Sequence, residues 1–167
     1  MAVLKLKLTA NQKWGLIIGA LISCLLLIEG VFVLINSNPI ILSIKLKTYD
    51  LALDKICRSV VENKNVRNKD YKFFVSFAPW PRGNKYNVGF TRLNSNRGIY
   101  FNYFYLREDR YKKHIHIITA HEIGHHENPI GERMANNFAA SIYGREAVIK
   151  FLKDLDYQDD RINLVLD

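Results

Sequence analysis

Two histidines and a glutamate in the stretch TAHEIGHH have the side-chain types and the spacing that a hydrolytic zinc site requires. His121 and His125 are four residues apart on a predicted helix, so both imidazoles lie on one face and can share a Zn²⁺ ion. Glu122 lies one step round the helix, where its carboxylate would meet a zinc-bound water rather than the metal. Zinc lowers the pKa of such a water toward about 7, and the carboxylate can take its proton as the water attacks a carbonyl. The pattern therefore predicts a hydrolase with Glu122 as its catalytic residue.

The same five-residue pattern also arises by chance, on amphipathic helices that expose their histidines. Ile123 and Gly124 inside the pattern are uncharged, as are Thr119 and Ala120 before it. Uncharged positions on both sides of the histidines favour a buried metal-binding helix over an exposed one.

A catalytic zinc ion usually has three protein ligands and one open position. Glu132 is the best candidate for the third ligand, because it falls in the first turn of the next predicted helix. The corner Glu127-Asn128 could fold that helix back against the first. Glu127 itself is too close in sequence to His125 to reach the same ion easily, and Glu146 is a second choice.

The remaining histidines, His114, His116 and His126, receive no predicted role. A hydrolase also needs a group that stabilises the developing oxyanion. Tyr143 and His126 are conceivable helpers, and nothing in the spacing selects either.

The elements that position these residues follow from hydrophobic periodicity and turn signals. Short connections between three β-rich runs predict an antiparallel meander, and Gly144 predicts a helix end. Asn128 and Pro129 fit an N-cap and a first helical turn. The predicted elements are a helix over 41–62, strands over 71–77, 86–92 and 99–106, and helices over 110–126, 129–143 and 145–155. Their order predicts an α+β domain over residues 37–167.

An apolar run precedes this domain. Residues 1–13 form a basic flank, and residues 14–36 are long and apolar enough for a transmembrane helix, interrupted only by Glu29. The run is too long for an ordinary cleaved signal peptide. A lipoprotein modified at Cys24 is the other alternative, although lipoproteins usually turn polar after that cysteine. The leading lysines favour a cytoplasmic N-terminus with the domain on the opposite side, but Lys45 and Lys47 weaken that prediction.

Charge and cysteine content constrain the remaining functions. The net charge of +8 arises between Glu62 and Lys113, where there are twelve Lys and Arg residues and only four Asp and Glu residues. A solvated basic surface explains that segment, and the sequence has no nucleic-acid-binding motif that would favour a nucleic acid as partner. Cys24 lies in the apolar run and Cys57 in the domain, so no disulfide framework is indicated.

The chain resembles gluzincin metallopeptidases of the ImmA/IrrE family over about residues 97–143. The resemblance rests on RGIYFNYFYL, on HIITAHEIGHH and on GERMANNFAA, and the last of these matches the family's pattern through Glu132, Ala135, Asn136, Phe138 and Ala139.

The resemblance implies a zincin-like fold in which His121, His125 and Glu132 hold zinc and Glu122 is the general base. It also implies that an edge strand, here residues 99–106, binds extended substrate by strand addition. Asn136 could orient a ligand from one turn beyond Glu132. The chain departs from the family in the short spacing between His125 and Glu132 and in its membrane segment, since family members are mostly soluble proteins that act on repressors.

Taken together, the sequence predicts a single-pass membrane protein whose zinc site hydrolyses protein or peptide substrates. The main alternative is a membrane-tethered regulator that keeps the zincin fold and works by binding. A third hypothesis, a basic nucleic-acid-binding protein, depends only on the charge of residues 62–113. Nothing in the sequence indicates an oligomeric state.

Overall fold

A computed structural model describes residues 9–37, 42–77, 88–91, 97–127 and 131–155. The cap predicted at Asn128-Pro129 lies outside these ranges, as do residues 79–84, where prolines and a glycine predict a turn, and the acidic segment after residue 155. The helices are α1 (Ala10–Ser37), α2 (Leu46–Tyr49), α3 (Leu51–Val61), α4 (Tyr103–Leu106), α5 (Asp109–Lys112), α6 (Ile115–Glu127), α7 (Gly131–Tyr143) and α8 (Arg145–Asp154), and the strands are β1 (Ser43–Lys45), β2 (Lys72–Ser76), β3 (Gly89–Thr91) and β4 (Gly98–Asn102).

Helix α1 contains the apolar run. Its segment Lys13–Val31 is long and apolar enough to cross a membrane, and none of that segment is buried against the rest of the described chain. Large side chains along it are exposed, with Leu27 at 68% and Leu16 at 60%. Length, composition and exposure all agree with the predicted span over residues 14–36.

The four described strands form one mixed sheet in the order β1-β2-β4-β3. β2 and β4 are parallel, whereas β1 and β3 pair antiparallel with their neighbours. The α+β class is therefore confirmed, and the three-stranded antiparallel meander is wrong. It assumed that strands adjacent in sequence pair with each other, but β4 returns to lie between β2 and β3.

The strand predicted over residues 99–106 is shorter than expected and lies inside the sheet. β4 ends at Asn102, whose side-chain oxygen accepts a hydrogen bond from the Phe104 amide and so caps α4. All five residues of β4 are buried. The predicted role of 99–106 as a substrate-binding edge strand is therefore wrong, because this strand has neighbours on both sides and β3 lies at the end of the described sheet.

The helix predicted over residues 41–62 is also divided. Its first part forms β1 and α2, and the continuous helix begins only at Leu51. Asp50 causes the new start, since its carboxylate accepts hydrogen bonds from the Ala52 and Leu53 amides. The apolar periodicity predicted Leu53, Ile56 and Val60 on the buried face of α3. Leu53 and Val60 are buried, whereas Ile56 is 38% exposed.

The core lies between the sheet and helices α3 and α6. Phe101 and Val75 of the sheet and Ile123 of α6 are fully buried. Cys57 Sγ of α3 lies 3.2 Å from Thr119 Oγ1 of α6, whose hydroxyl donates to the Ile115 carbonyl at 2.6 Å. Burial raises the pKa of the Cys57 thiol to about 12. That thiol is a packing group that stays protonated. As a result α6 is held on one side by α3 and leaves its other side to α7 and β3.

The predicted helix over 110–126 is split into α5 and α6 by a turn, and the turn is fastened to α8. Asp154 accepts hydrogen bonds from Lys113 Nζ, at 2.7 Å, and from His114 Nε2, at 2.9 Å. These two donors lower the pKa of Asp154 to about 2. The start of α6, the helix that carries His121 and His125, is therefore held in place by α8.

This contact predicts a pH-dependent contribution to stability. A carboxylate whose pKa is depressed by folding stabilises the protein above its unfolded pKa, and the contribution is lost as pH falls through the folded pKa. We therefore expect the melting temperature of Asp154→Asn to be lower than that of wild type at neutral pH. The difference between the two melting temperatures should shrink between about pH 4 and pH 2. Melting temperatures across that range test this, with Asp109→Asn, on the exposed side of α5, as control. A difference that stays constant over that range would contradict it.

Candidate metal site

The two histidines of the HEIGH stretch lie on one face of α6, as the helical spacing predicts. His121 Nε2 and His125 Nε2 are 3.2 Å apart, and the planes of the two rings are nearly perpendicular. Both side chains are mostly buried, with 15% and 20% exposed. The two imidazole nitrogens therefore converge on one point at the surface of the helix.

Glu132 approaches the same point from the first turn of α7. Its carboxylate oxygens lie 3.2 Å from His121 Nε2 and 3.8 Å from His125 Nε2. The ligand atoms of the three residues all lie within 4.8 Å of one another, and the three residues could hold a metal ion. Glu132, the third ligand that the sequence predicts, is thus the glutamate that lies beside the two histidines. Glu127 instead contacts the Tyr71 hydroxyl, at 3.4 Å.

The donor set and its spacing fit zinc. Two ligand atoms bound about 2.1 Å from a tetrahedral ion lie about 3.4 Å apart. His121 Nε2 lies 3.2 Å from His125 Nε2 and 3.2 Å from Glu132 Oε2, both close to this value, and the other carboxylate oxygen, Oε1, lies 3.8 Å from His125 Nε2. Two imidazoles and one carboxylate are also the set found in catalytic zinc sites that keep an open position.

Gly124 sets the distance between α6 and α7. A β-carbon at this position would lie 2.8 Å from Ala135 Cα and 3.0 Å from Phe138 Cβ. Such contacts are too short for any side chain, and Ala135 is itself fully buried. The missing side chain of Gly124 therefore lets α7 approach closely enough for Glu132 to reach the histidines.

Gly124→Ala is therefore expected to destabilise the domain and to weaken metal binding together. Alanine would favour the helix by up to about 1 kcal/mol. Overpacking against backbone atoms costs about 1–3 kcal/mol, so the clash should prevail. Denaturant unfolding and zinc titration measure the two effects, with Asn137→Ala on the exposed face of α7 as control. Wild-type stability and affinity in Gly124→Ala would contradict the packing argument.

Asn136 fixes the orientation of one histidine. His121 Nδ1 and Asn136 Oδ1 are 2.8 Å apart, and Asn136 is only 2% exposed. With Nδ1 donating its proton to this amide oxygen, the lone pair of Nε2 is left facing Glu132 and His125. A partner of this kind is typical of histidines that ligate metals.

The two histidines differ electrostatically in the metal-free protein. Burial disfavours the protonated form of both imidazole rings and so acts to lower their pKa values. At His121 the Glu132 and Glu122 carboxylates and Asn136 outweigh burial and raise the pKa, whereas at His125 burial and the charge of His121 lower it. The two carboxylates therefore favour positive charge at His121.

Glu122 lies beside the three ligands and is 6% exposed. In the metal-free protein burial raises the pKa of its carboxyl to about 7, although the charge of His121 acts in the opposite direction. Gly89 of β3 covers it, since a β-carbon there would lie 3.3 Å from Glu122 Oε1 and 3.0 Å from Ile118 Cγ2. The carboxyl is thus held in a nearly dry position between α6 and the end of the sheet.

The other candidate residues have different neighbours. His126 Nε2 is hydrogen-bonded to the Thr91 hydroxyl of β3, which also donates to the Gly98 carbonyl. His126 therefore fastens β3 to α6. Tyr143 packs against His116, with ring centroids 4.8 Å apart, and lies eleven residues beyond Glu132, which is about 16 Å along a helix. Tyr143 is thus too far away to act on a ligand at the metal site.

Sequence reasoning missed the contributions of Gly89, Thr91 and Gly124. A glycine inside a β-rich run is a signal of close backbone approach, and GFT carries one at Gly89. Its partner on α6 was not predictable, since nothing in the sequence relates residues about thirty positions apart.

Comparison of the chain with protein-family models, with curated proteins and with solved structures finds no match.

Proposed function

We propose that this protein is a membrane-anchored zinc peptidase, in which His121, His125 and Glu132 hold the ion and Glu122 is the general base. The observation that carries the proposal is the convergence of the three ligand atoms within 4.8 Å, next to a buried carboxyl that is not one of them. A metal site with only a structural role would not need that fourth group. The resemblance to ImmA/IrrE gluzincins, through HEIGHH and GERMANNFAA, assigns the same roles.

The chemistry divides between the ion and the chain. Zinc, when bound, supplies Lewis acidity that polarises a carbonyl and makes a water nucleophilic near neutral pH. Glu122 would accept the proton of that water and pass it to the leaving amine. Asn136 would keep His121 in the tautomer that ligates, and Glu132 would complete the set of three.

β3 is the strand best placed to present a substrate. It is the last strand in the order of the described sheet, and Gly89 lies against Glu122. An extended peptide that continued the sheet along β3 would pass the three ligands. We therefore transfer to β3 the role that the sequence had assigned to residues 99–106.

The membrane topology is part of the proposal. With Lys5, Lys7 and Lys13 before the apolar helix, the N-terminus would lie in the cytoplasm and the catalytic domain on the opposite side. The substrates would then be proteins or peptides close to that membrane surface.

Peptide hydrolysis by the full-length chain in a neutral detergent tests this function. We expect cleavage of a mixed peptide library, loss of cleavage after a zinc chelator, and recovery when zinc is returned. Mass spectrometry of the products reports each step. Cleavage that continues in the chelator would contradict the proposal, and zinc binding without any cleavage would favour the membrane-tethered regulator.

A further inference from the structure

A small basic cavity lies just after the membrane helix, away from the metal site. Its volume is about 150 Å³, and its walls come from β1, α2, α3 and β2. The lining residues are Lys45, Lys47, Asp54, Arg58, Lys72, Phe73 and Phe74. The cavity thus places four cationic side chains around one carboxylate.

The carboxylate is already neutralised. Asp54 is 4% exposed, and one of its oxygens accepts a hydrogen bond from Arg58 Nε at 2.8 Å. Among the described residues, Lys45, Lys47 and Lys72 have no ion-pair partner. The cavity therefore carries a surplus of positive charge, and Asp54 holds the guanidinium of Arg58 with its remaining donors available.

These features fit a phosphate group. Arginine and lysine together are typical of phosphate recognition, the first through its planar fork and the second as a point charge. The cavity volume of about 150 Å³ is large enough for a phosphate group.

The position of the cavity indicates where the phosphate comes from. Helix α1 ends at Ser37 and β1 begins at Ser43, and so short a chain spans at most about 20 Å. Lys45, the first lining residue, is eight positions from Ser37 and so lies within about 30 Å of the end of α1, in reach of the surface of a membrane that α1 crosses. Leu42 and Ile44, adjacent to Lys45, each leave 40% of their surface exposed, as residues at a lipid interface do.

We infer that this cavity binds the phosphate of an anionic lipid headgroup, and that Lys45, Lys47, Arg58 and Lys72 are its ligands. Binding would hold the domain against the membrane in one orientation. Lys45 and Lys47 weaken the topology prediction from the positive-inside rule. Headgroup binding gives these two lysines a separate function. The inference does not depend on zinc or on catalysis.

Lysine reactivity in a bilayer tests the inference. The full chain is placed in nanodiscs of phosphatidylcholine, with or without phosphatidylglycerol, and each lysine's rate of reaction with an amine reagent is measured by mass spectrometry. We expect phosphatidylglycerol to slow Lys45, Lys47 and Lys72 about fivefold, the factor for a contact of about 1 kcal/mol per lysine. Lys150 and Lys153, exposed on α8, are internal controls and should not change.

Variants and a second anion separate the sources of the effect. Lys72→Gln should reduce the protection of Lys45 and Lys47, whereas Lys150→Gln should leave it intact. Inorganic phosphate in phosphatidylcholine discs should protect none of them. Equal rates with and without phosphatidylglycerol, equal protection on α8, or full protection by inorganic phosphate would each overturn the assignment to a lipid headgroup.

Discussion

Glu122→Gln is expected to lower the turnover of peptide substrates by about 10²–10⁴-fold, the usual contribution of a general base. The substitution keeps the size of a side chain that is 6% exposed and removes only its ability to take a proton. Metal content and melting temperature should therefore stay close to wild type. Steady-state kinetics, with elemental analysis of the same preparation, measures both.

The control for this variant is Glu127→Gln, which makes the same change of charge five residues further along α6. Glu127 contacts Tyr71 and Arg67 rather than the ligands, so turnover should remain within a few fold of wild type. Unchanged turnover in Glu122→Gln, with zinc still bound, would contradict the base role. It would favour a protein that uses the site for binding alone.

Glu132→Ala is expected to weaken zinc binding by more than about a hundredfold, since loss of a partner outside the ligand set already costs 10–100-fold. Only His121 and His125 would remain, and two ligands do not complete a catalytic site. Glu132 is 43% exposed on its side chain, so the variant should fold. Competition with a fluorescent zinc chelator measures the affinity, and circular dichroism checks the helices.

Glu146→Ala is the matched control for this substitution. Glu146 was the second choice as ligand from sequence alone, and it lies on α8, in the helix after the one that carries Glu132. Zinc affinity of Glu146→Ala should equal that of wild type. If Glu132→Ala also kept wild-type affinity, or if Glu146→Ala lost it, the ligand set would be wrong.

The three candidate metal ligands could be predicted because they are close in sequence. A spacing of four residues on an α-helix places His121 and His125 on one face, and Glu132 follows seven residues after His125, in the first turn of α7. The end of α7 could also be predicted from a local feature, because Gly144 has a φ of +85°, a backbone conformation that favours glycine. The helix end at Gly144 is therefore confirmed, whereas the local breaks at Asp50 and between α5 and α6 were missed.

The sheet could not be predicted, because strand order depends on contacts between distant segments. Nothing local to residues 98–102 shows that they lie between β2 and β3, with the register that pairs Tyr100 with both Phe74 and Phe90. The break at Asp50 in the helix predicted over residues 41–62 was more nearly predictable. Asp50 is a good capping residue, but the apolar periodicity across it gave the stronger signal.

The close approaches around the site were also not predictable. Gly124 against Ala135 and Gly89 against Glu122 each require that two elements already be in place. Uncharged residues beside the histidines indicated burial, but not which helix or strand would cover them. The short spacing between His125 and Glu132, unusual for the resembling family, proves compatible with three converging ligand atoms.

The metal content of the purified protein tests the central claim most directly. The full-length chain, prepared in neutral detergent and equilibrated with zinc before removal of the excess, should hold one zinc ion per chain by elemental analysis. His125→Ala, prepared in parallel, should hold far less. A wild-type chain that retains no zinc, or a His125→Ala chain that retains as much as wild type, would contradict the proposal that these three side chains form a zinc site.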